Sequence, residues 1–264
     1  LLYIQKNAHR LLRLVDQMLD LRKTDAGKQV LLASEQNIVQ FLREIVTDFQ
    51  QKAHKSKIDL QLITPVIHIP LWFDVEKLDK VLFNLLSNAF KYTPKGGYIH
   101  VFLQETAENV QIIIKDNGEG MSETEKERAF DLYFSGQKKY SLGTGLGLAL
   151  SREFVHLHHG DIQVSSQKKE GTVFTISLPK GETHLLPEEK VRLGTTEHPN
   201  RPIFDDLEQE LIINPPHPQH AVSVVLIEDN PDLSRYIFEK LSPFFSIDVF
   251  AEAEQGWKGV LSQI

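Results

Sequence analysis

Along the first 23 or so residues, apolar side chains recur in two interleaved seven-residue series. Leu1, Ala8 and Val15 form one, and Ile4, Leu11 and Met18 the other, with Leu12 and Leu19 widening the stripe. The spacing predicts an amphipathic helix with an a/d seam, which packs either on a partner helix or on its own domain. Asp25-Ala26-Gly27 ends it with turn chemistry. A second helix is predicted over 37–53, where Ile38, Phe41, Leu42, Ile45 and Phe49 share one side. Residues 58–63 alternate as a strand. Residues 74–90 predict a strongly apolar helix capped by Asp74. The runs 99–104 and 110–115 read as paired strands, 148–157 as a helix, and 161–166 and 172–178 as two strands around a Lys-Lys-Glu-Gly turn. Strands in meander order with separate helices predict that residues 28–180 form one α+β unit, a layered α/β sandwich rather than a doubly wound sheet.

The pattern then changes twice. Between 181 and 221, Pro187, Pro199, Pro202, Pro215, Pro216 and Pro218 crowd a stretch with little periodicity, which predicts a linker. Within it, 203–213 has enough apolar content for a short docking helix. From 222 to 264 a short apolar strand, a helix over 231–241, a second strand over 247–250 and a further helix predict the β-α-β-α opening of a doubly wound α/β domain, truncated at about forty-three residues.

Composition narrows the chemistry. Hydrophobic residues at 41% supply a core and exclude wholesale disorder. A net charge of -7 argues against a general nucleic-acid binder. The absence of cysteine excludes disulfides, thiolate metal sites and cysteine nucleophiles. No apolar run reaches the roughly 18 residues that cross a bilayer. The chain begins at Leu1 and carries no signal peptide, so it reads as a piece of something longer.

Three constellations carry candidate chemistry. Asn84, Asn88 and Lys91 fall at i, i+4 and i+7 on one helical face, beside the apolar Leu78, Leu82, Leu85 and Ala89. Amide oxygens can ligate a hard cation such as Mg²⁺ and a lysine can meet phosphate; alternatively the three are simply exposed polar residues. Asp116 ends a strand before Gly118 and Gly120. It is an acceptor able to receive an exocyclic amine, in a loop whose glycines allow close backbone approach, or else a plain turn. Gly143, Gly145 and Gly147 alternate just before a helix, whose N-terminal N–H groups suit an anion. No Gly-Lys-Ser/Thr follows, as a P-loop would need.

In this order the pieces are specific. Asn-Leu-Leu-Ser-Asn-Ala-Phe-Lys-Tyr-Thr-Pro over 84–94, Asp-x-Gly-x-Gly over 116–120, Phe130 and Phe134, Gly-Thr-Gly-Leu-Gly-Leu over 143–148, and Gly171-Thr172-x-Phe174 resemble the ATP-binding domain of bacterial sensor histidine kinases, the Bergerat-type ATP fold. The resemblance covers residues 30–180. It implies that Asn88 holds Mg²⁺, that Asp116 takes the adenine amine, and that Lys91 and the 143–147 backbone hold phosphates. It also implies that Tyr92 lines the pocket and that Phe130 and Phe134 anchor a lid. The implied ATP-binding set is Asn88, Lys91, Tyr92, Asp116, Gly118, Gly120, Gly143, Thr144, Gly145, Leu146, Gly147, Leu148 and Thr172, with Asn84, Asn88 and Lys91 nearest the chemistry.

Gyrase-type and chaperone-type relatives place a Glu four residues before the metal-binding Asn. Here that position is Asn84, and an amide is no general base near neutral pH. Transfer to an imidazole is therefore expected rather than hydrolysis; the alternatives are a Bergerat-fold ATPase or a non-catalytic dimerising scaffold. By the same resemblance, residues 1–27 look like the second helix of a dimerisation domain, whose four-helix bundle forms a homodimer. None of the eleven histidines has the His-Glu-x-x-x-Pro context of a phosphoacceptor, so the acceptor domain is an expected partner and the chain alone is not expected to autophosphorylate. His158 and His159 precede Gly160 at a helix end and are expected to be structural or solvent-facing. The run Val224-Val225-Leu226-Ile227-Glu228-Asp229 resembles the start of a receiver domain, where Glu228 and Asp229 would bind Mg²⁺ beside a third, phosphorylated Asp. The whole resembles a hybrid sensor histidine kinase: dimerisation helix 1–27, ATP-binding domain 28–180, linker 181–221, receiver start 222–264. It implies the cytoplasmic part of a bacterial inner-membrane protein, with no direct nucleic-acid contact from this part.

Overall fold

A computed structural model describes residues 29–134, 145–191, 223–228 and 246–252, together with 234, 235, 237, 238, 242 and 257. The N-terminal helix and the segment 203–213 expected from the sequence lie outside the described residues. The chain divides into two compact units, Leu1–Leu207 and Glu208–Ile264.

In the first unit, β1 (Ser34–Asn37) leads directly into α1 (Ile38–Ser56). Asn37 caps α1: its Oδ1 accepts from Val39 N–H at 3.1 Å and from Ile69 N–H at 3.2 Å. One amide thus starts the helix and fastens the approach to β3 (Pro70–Phe73), which pairs antiparallel with β1. β2 (Asp59–Ile63) follows α1 after Lys57, whose φ of 53° closes the helix in the left-handed region. α2 (Val75–Tyr92) starts at the Asp74 cap and stops at Thr93, because Pro94 cannot continue it.

β4 (Tyr98–Glu105), β5 (Asn109–Asp116), β6 (Asp161–Gln167) and β7 (Gly171–Pro179) complete a five-stranded sheet of order β2-β4-β5-β7-β6. β2 and β4 run parallel and the other pairs antiparallel. Period-two alternation sends Ile99, Val101 and Leu103, then Val110, Ile112 and Ile114, then Phe174, Ile176 and Leu178 to one buried face. Against it lie α1, α2 and α4 (Gly147–Leu157), whose own buried stripes include Phe49, Leu82, Leu85 and Phe154. The layered α/β sandwich read from the sequence is the fold observed. A short α3 (Glu123–Glu127) opens on a Ser122–Glu125 capping box.

The structure differs from the sequence reading in that α3 was not predicted and the meander order is broken, β5 pairing with β7 rather than β6, and in two further features. β1 and β3 were not anticipated; at four residues each they are too short to display a period. Residues 185–191, within the segment expected as linker, pack on the first unit. Leu185 packs with Leu31 and Ala33, Ala33 N–H donates to Glu189 C=O at 2.7 Å, and Val191 N–H donates back to Ala33 C=O at 2.8 Å. Pro187 opens a 3₁₀ turn here, a place where its missing N–H costs nothing, so a proline that looked like linker chemistry is part of the folded unit.

In the second unit β8 (Ser223–Ile227) and β9 (Ser246–Phe250) pair in parallel, Val224 opposite Ile247. Residues 234, 235, 237 and 238 between them are helical. A parallel pair needs such a crossover. Among the described residues no helix is long and apolar enough to cross a membrane.

Candidate functional site

The C-terminal half of α2 is the centre of the site. Leu78, Leu82, Leu85 and Ala89 turn into the core, which leaves Asn84 and Asn88 half-buried along the flank. Asn84 Nδ2 donates to Ser151 Oγ at 2.9 Å, and Ser151 Oγ donates to Gly147 C=O at 2.9 Å. A Cβ at Gly147 would collide with Asn84 Oδ1, so a side chain there would displace the Asn84 amide. Asn88 differs: among the described residues its amide has no hydrogen-bond partner. Lys91 Nζ lies 5.1 Å from the centre of the Tyr92 ring, and Tyr92 is 38% exposed.

The Tyr92 carbonyl accepts Glu119 N–H at 3.1 Å, which draws the loop after β5 against the end of α2. A Cβ on Gly118 would come within 2.6 Å of that carbonyl oxygen. Asp116, at the end of β5, is 4% exposed. Its Oδ1 accepts from Gly118 N–H at 2.8 Å and Thr172 N–H at 3.2 Å, and its other oxygen has no partner among the described residues. Burial holds the carboxyl above the ordinary carboxylate value, and the two N–H bonds offset this only in part. The result is a desolvated acceptor with one open lone-pair site, the chemistry needed to select a ligand N–H.

Ser166 organises this corner and was not singled out in the sequence. Its hydroxyl accepts from Met121 N–H at 2.8 Å, donates to Gly171 C=O at 2.8 Å and lies 3.0 Å from Thr172 Oγ1. Gly171 has φ +102°, and a Cβ there would strike the Asp116 carbonyl. A lone serine in an alternating strand gives no signal beforehand, whereas Gly171-Thr172 did.

α4 begins at Leu146, which is buried and gives no side-chain cap. The N-cap residue thus offers no side chain to the first N–H groups of the helix, an arrangement that suits an anion. The Gly145 carbonyl accepts from Tyr133 N–H at 3.0 Å. Phe130 packs edge-on to Phe174 at 6.3 Å, with the Arg152 guanidinium 5.4 Å from its ring, and the Arg128 guanidinium lies 4.5 Å from the Phe134 ring. Asn84 and Gly147 thus meet at one side of α2, and Tyr92, Asp116, Gly118 and Thr172 meet at its end. Gly143, Thr144 and Asp229 lie outside the described residues. Glu228 belongs to the second unit, where its N–H donates to Phe250 C=O at 3.0 Å.

His158 is 2% exposed. Its Nδ1 donates to Phe154 C=O at 2.6 Å and its Nε2 accepts from Asp74 N–H at 3.0 Å, which defines a neutral Nδ1–H imidazole. His158 is structural, as expected. His159 pairs with Glu189 at 3.1 Å. Among the described residues no three His, Cys, Asp or Glu side chains group as a metal site.

Residues 73–182 match the family model described as histidine kinase-, DNA gyrase B- and HSP90-like ATPase. The chain is 31% identical to histidine kinase P4 of Formosa agariphila, over 97% of this chain and 19% of that protein. It is 32% identical to the sensor histidine kinase TmoS of Ectopseudomonas mendocina, over 93% of this chain and 26% of the relative. The chain therefore spans about a fifth to a quarter of the length of these curated relatives. Among solved structures, the catalytic domain of histidine kinase ThkA matches with TM-score 0.52 and 28% identity, over 57% of this chain and 99% of that domain. ThkA in complex with the response regulator TrrA matches with TM-score 0.57 and 25% identity, over 69% and 51%.

Proposed function

We propose that residues 73–182, which match the histidine kinase-, DNA gyrase B- and HSP90-like ATPase family model, are the ATP-binding catalytic domain of a sensor histidine kinase and place Mg-ATP for phosphoryl transfer to a histidine of a hybrid kinase. The observation that carries the reading is Asp116, a buried carboxylate with one open oxygen in a glycine-framed corner at the end of the helix that bears Asn88. Asp116 takes the adenine amine. Gly118 and Gly120 let the backbone lie against the ring, Thr172 holds Asp116 in place, and Tyr92 lines the pocket beside it. Lys91 and the start of α4, with Gly143, Thr144, Gly145, Leu146, Gly147 and Leu148, hold the phosphates. The unpartnered Asn88 amide fits a single hard-cation ligand, and Mg²⁺ bound there neutralises phosphate charge.

The γ-phosphoryl passes in line to an imidazole nitrogen: a P–N bond forms, the P–O bond to ADP breaks, and the imidazole gives up its proton. The site contributes position and charge rather than a nucleophile. Asn84 stands where hydrolytic relatives have a carboxylate, which supports transfer over hydrolysis. The seam of residues 1–23 supports a homodimer through that helix. Glu228 and Asp229 support a receiver that binds its own Mg²⁺ and passes the phosphoryl to an Asp. The parent is anchored in a bacterial inner membrane, with these residues on the cytoplasmic side.

The test is incubation with γ-labelled ATP, with and without a separately supplied phosphoacceptor-histidine domain. Acid-labile, base-stable label on the added domain and none on the chain alone is the expected result. Steady phosphate release without acceptor would replace the kinase reading with an ATPase.

A further inference from the structure

α2 and α4 pack through apolar side chains, among them Leu78, Leu82, Leu85, Leu150 and Phe154. Apolar contact is non-directional and does not by itself fix how far one helix slides along the other. Two polar ties do. At the C-terminal end of α4, His158 Nε2 accepts the N–H of Asp74, the cap of α2. At the other end, Asn84 Nδ2 donates to Ser151, whose hydroxyl passes the bond to Gly147 C=O in the first turn of α4. Ser151 is 2% exposed, so neither bond has water as a ready substitute. Asn84 also lies where a Gly147 side chain would be, which brings the α4 backbone directly onto this amide. A slip of one helical turn would move the start of α4 by about 5 Å, far beyond what a phosphate hydrogen bond tolerates.

We propose that Ser151 is a positioning residue: with Asn84 it sets the register of α4 on α2, and so holds the N–H groups of the first α4 turn where nucleotide phosphates bind. The inference rests on the reading of α4 as the phosphate site. It gives Asn84 a mechanical role, with its amide nitrogen directed at Ser151 instead of at ligand. It also separates two parts of the pocket, since the Asp116 corner is held by Gly118, Thr172 and Ser166 and does not depend on Ser151.

The experiment is calorimetric titration of the whole chain, as wild type, Ser151→Ala, Asn84→Ala and the double variant, with a non-hydrolysable ATP analogue and separately with adenosine. Loss of one well-made hydrogen bond predicts that Ser151→Ala weakens the ATP analogue about tenfold and adenosine less than about twofold. Asn84→Ala should give the same asymmetric loss, and the double variant little further loss, because both residues serve one tie. If Ser151→Ala does not fold, the half-buried Asn84→Ala carries the same expectation. Equal weakening of both ligands would mean general loosening and overturn the proposal. So would unchanged affinity for the ATP analogue, or additive losses. Wild-type chain that binds neither ligand would bring down the nucleotide reading itself, and this inference with it.

Discussion

Asp116 combines recognition with instability. Its folded pKa is raised above the ordinary 3.8 by burial, so folding disfavours the ionised form. Protonation therefore stabilises the fold, and that contribution is lost as pH rises through the raised value. Above that raised value the ligand-free protein carries a carboxylate that burial disfavours, which a bound amine would relieve. Asp116→Asn keeps an acceptor for the Gly118 and Thr172 N–H groups but presents a donor to the ligand. We expect its ligand-free melting temperature to match or exceed that of wild type, while adenosine affinity falls about tenfold or more. Wild-type adenosine affinity should also decline on acidification, starting above the ordinary carboxylate range. Thermal melts and pH-stepped titrations check both, and a destabilised Asp116→Asn with normal adenosine affinity would reverse the assignment. Asp116 and Asn88 stood out as candidates in the sequence because their spacing to glycines and lysine forms a pattern. Ser151 and Ser166 were not, because each works through a contact between elements that are distant in sequence.

At the scale of elements, the long ones were legible and the short ones were not. α2 was read over 74–90 and runs Val75–Tyr92, since its apolar stripe persists for several turns and Asp74 and Pro94 bracket it. β1 and β3 escaped because four residues show no period, and the 181–191 segment because Pro187 signals a turn and a linker alike. The join between α2 and α4 carries its own pH dependence. Burial lowers the His158 pKa below 6.5, so the unfolded chain binds the proton more readily than the folded one. The stability tied to neutral His158 is present above about pH 6.5 and is lost as pH falls through the lowered folded value. His158→Asn should cost about 1–3 kcal/mol at pH 8, where buried bonds to Asp74 and Phe154 are lost. Its stability should then fall less steeply than wild type's below pH 6.5. Denaturant melts at several pH values measure this, and parallel curves for the two proteins would show that His158 is not the titrating group.

For the molecule as a whole, the order of motifs said more than any one of them. A glycine loop or an Asp-x-Gly-x-Gly alone is weak, but the sequence of both after an asparagine-bearing helix already implied a nucleotide pocket. The described part bears out the layered sandwich, and the parallel β8–β9 pair of the second unit matches the βαβ pattern in the sequence. Domain arrangement was harder to read, because a linker is recognised by composition and composition does not reveal where packing stops. The central claim is that the corner formed by α2, Asp116 and α4 binds a nucleoside triphosphate with a divalent cation. Its most direct test is calorimetric titration of the whole chain with a non-hydrolysable ATP analogue, with and without Mg²⁺. Saturable one-to-one binding that tightens when Mg²⁺ is added is the predicted result. Absence of binding in both conditions, from a chain that melts cooperatively, would contradict it and leave a dimerising scaffold in its place.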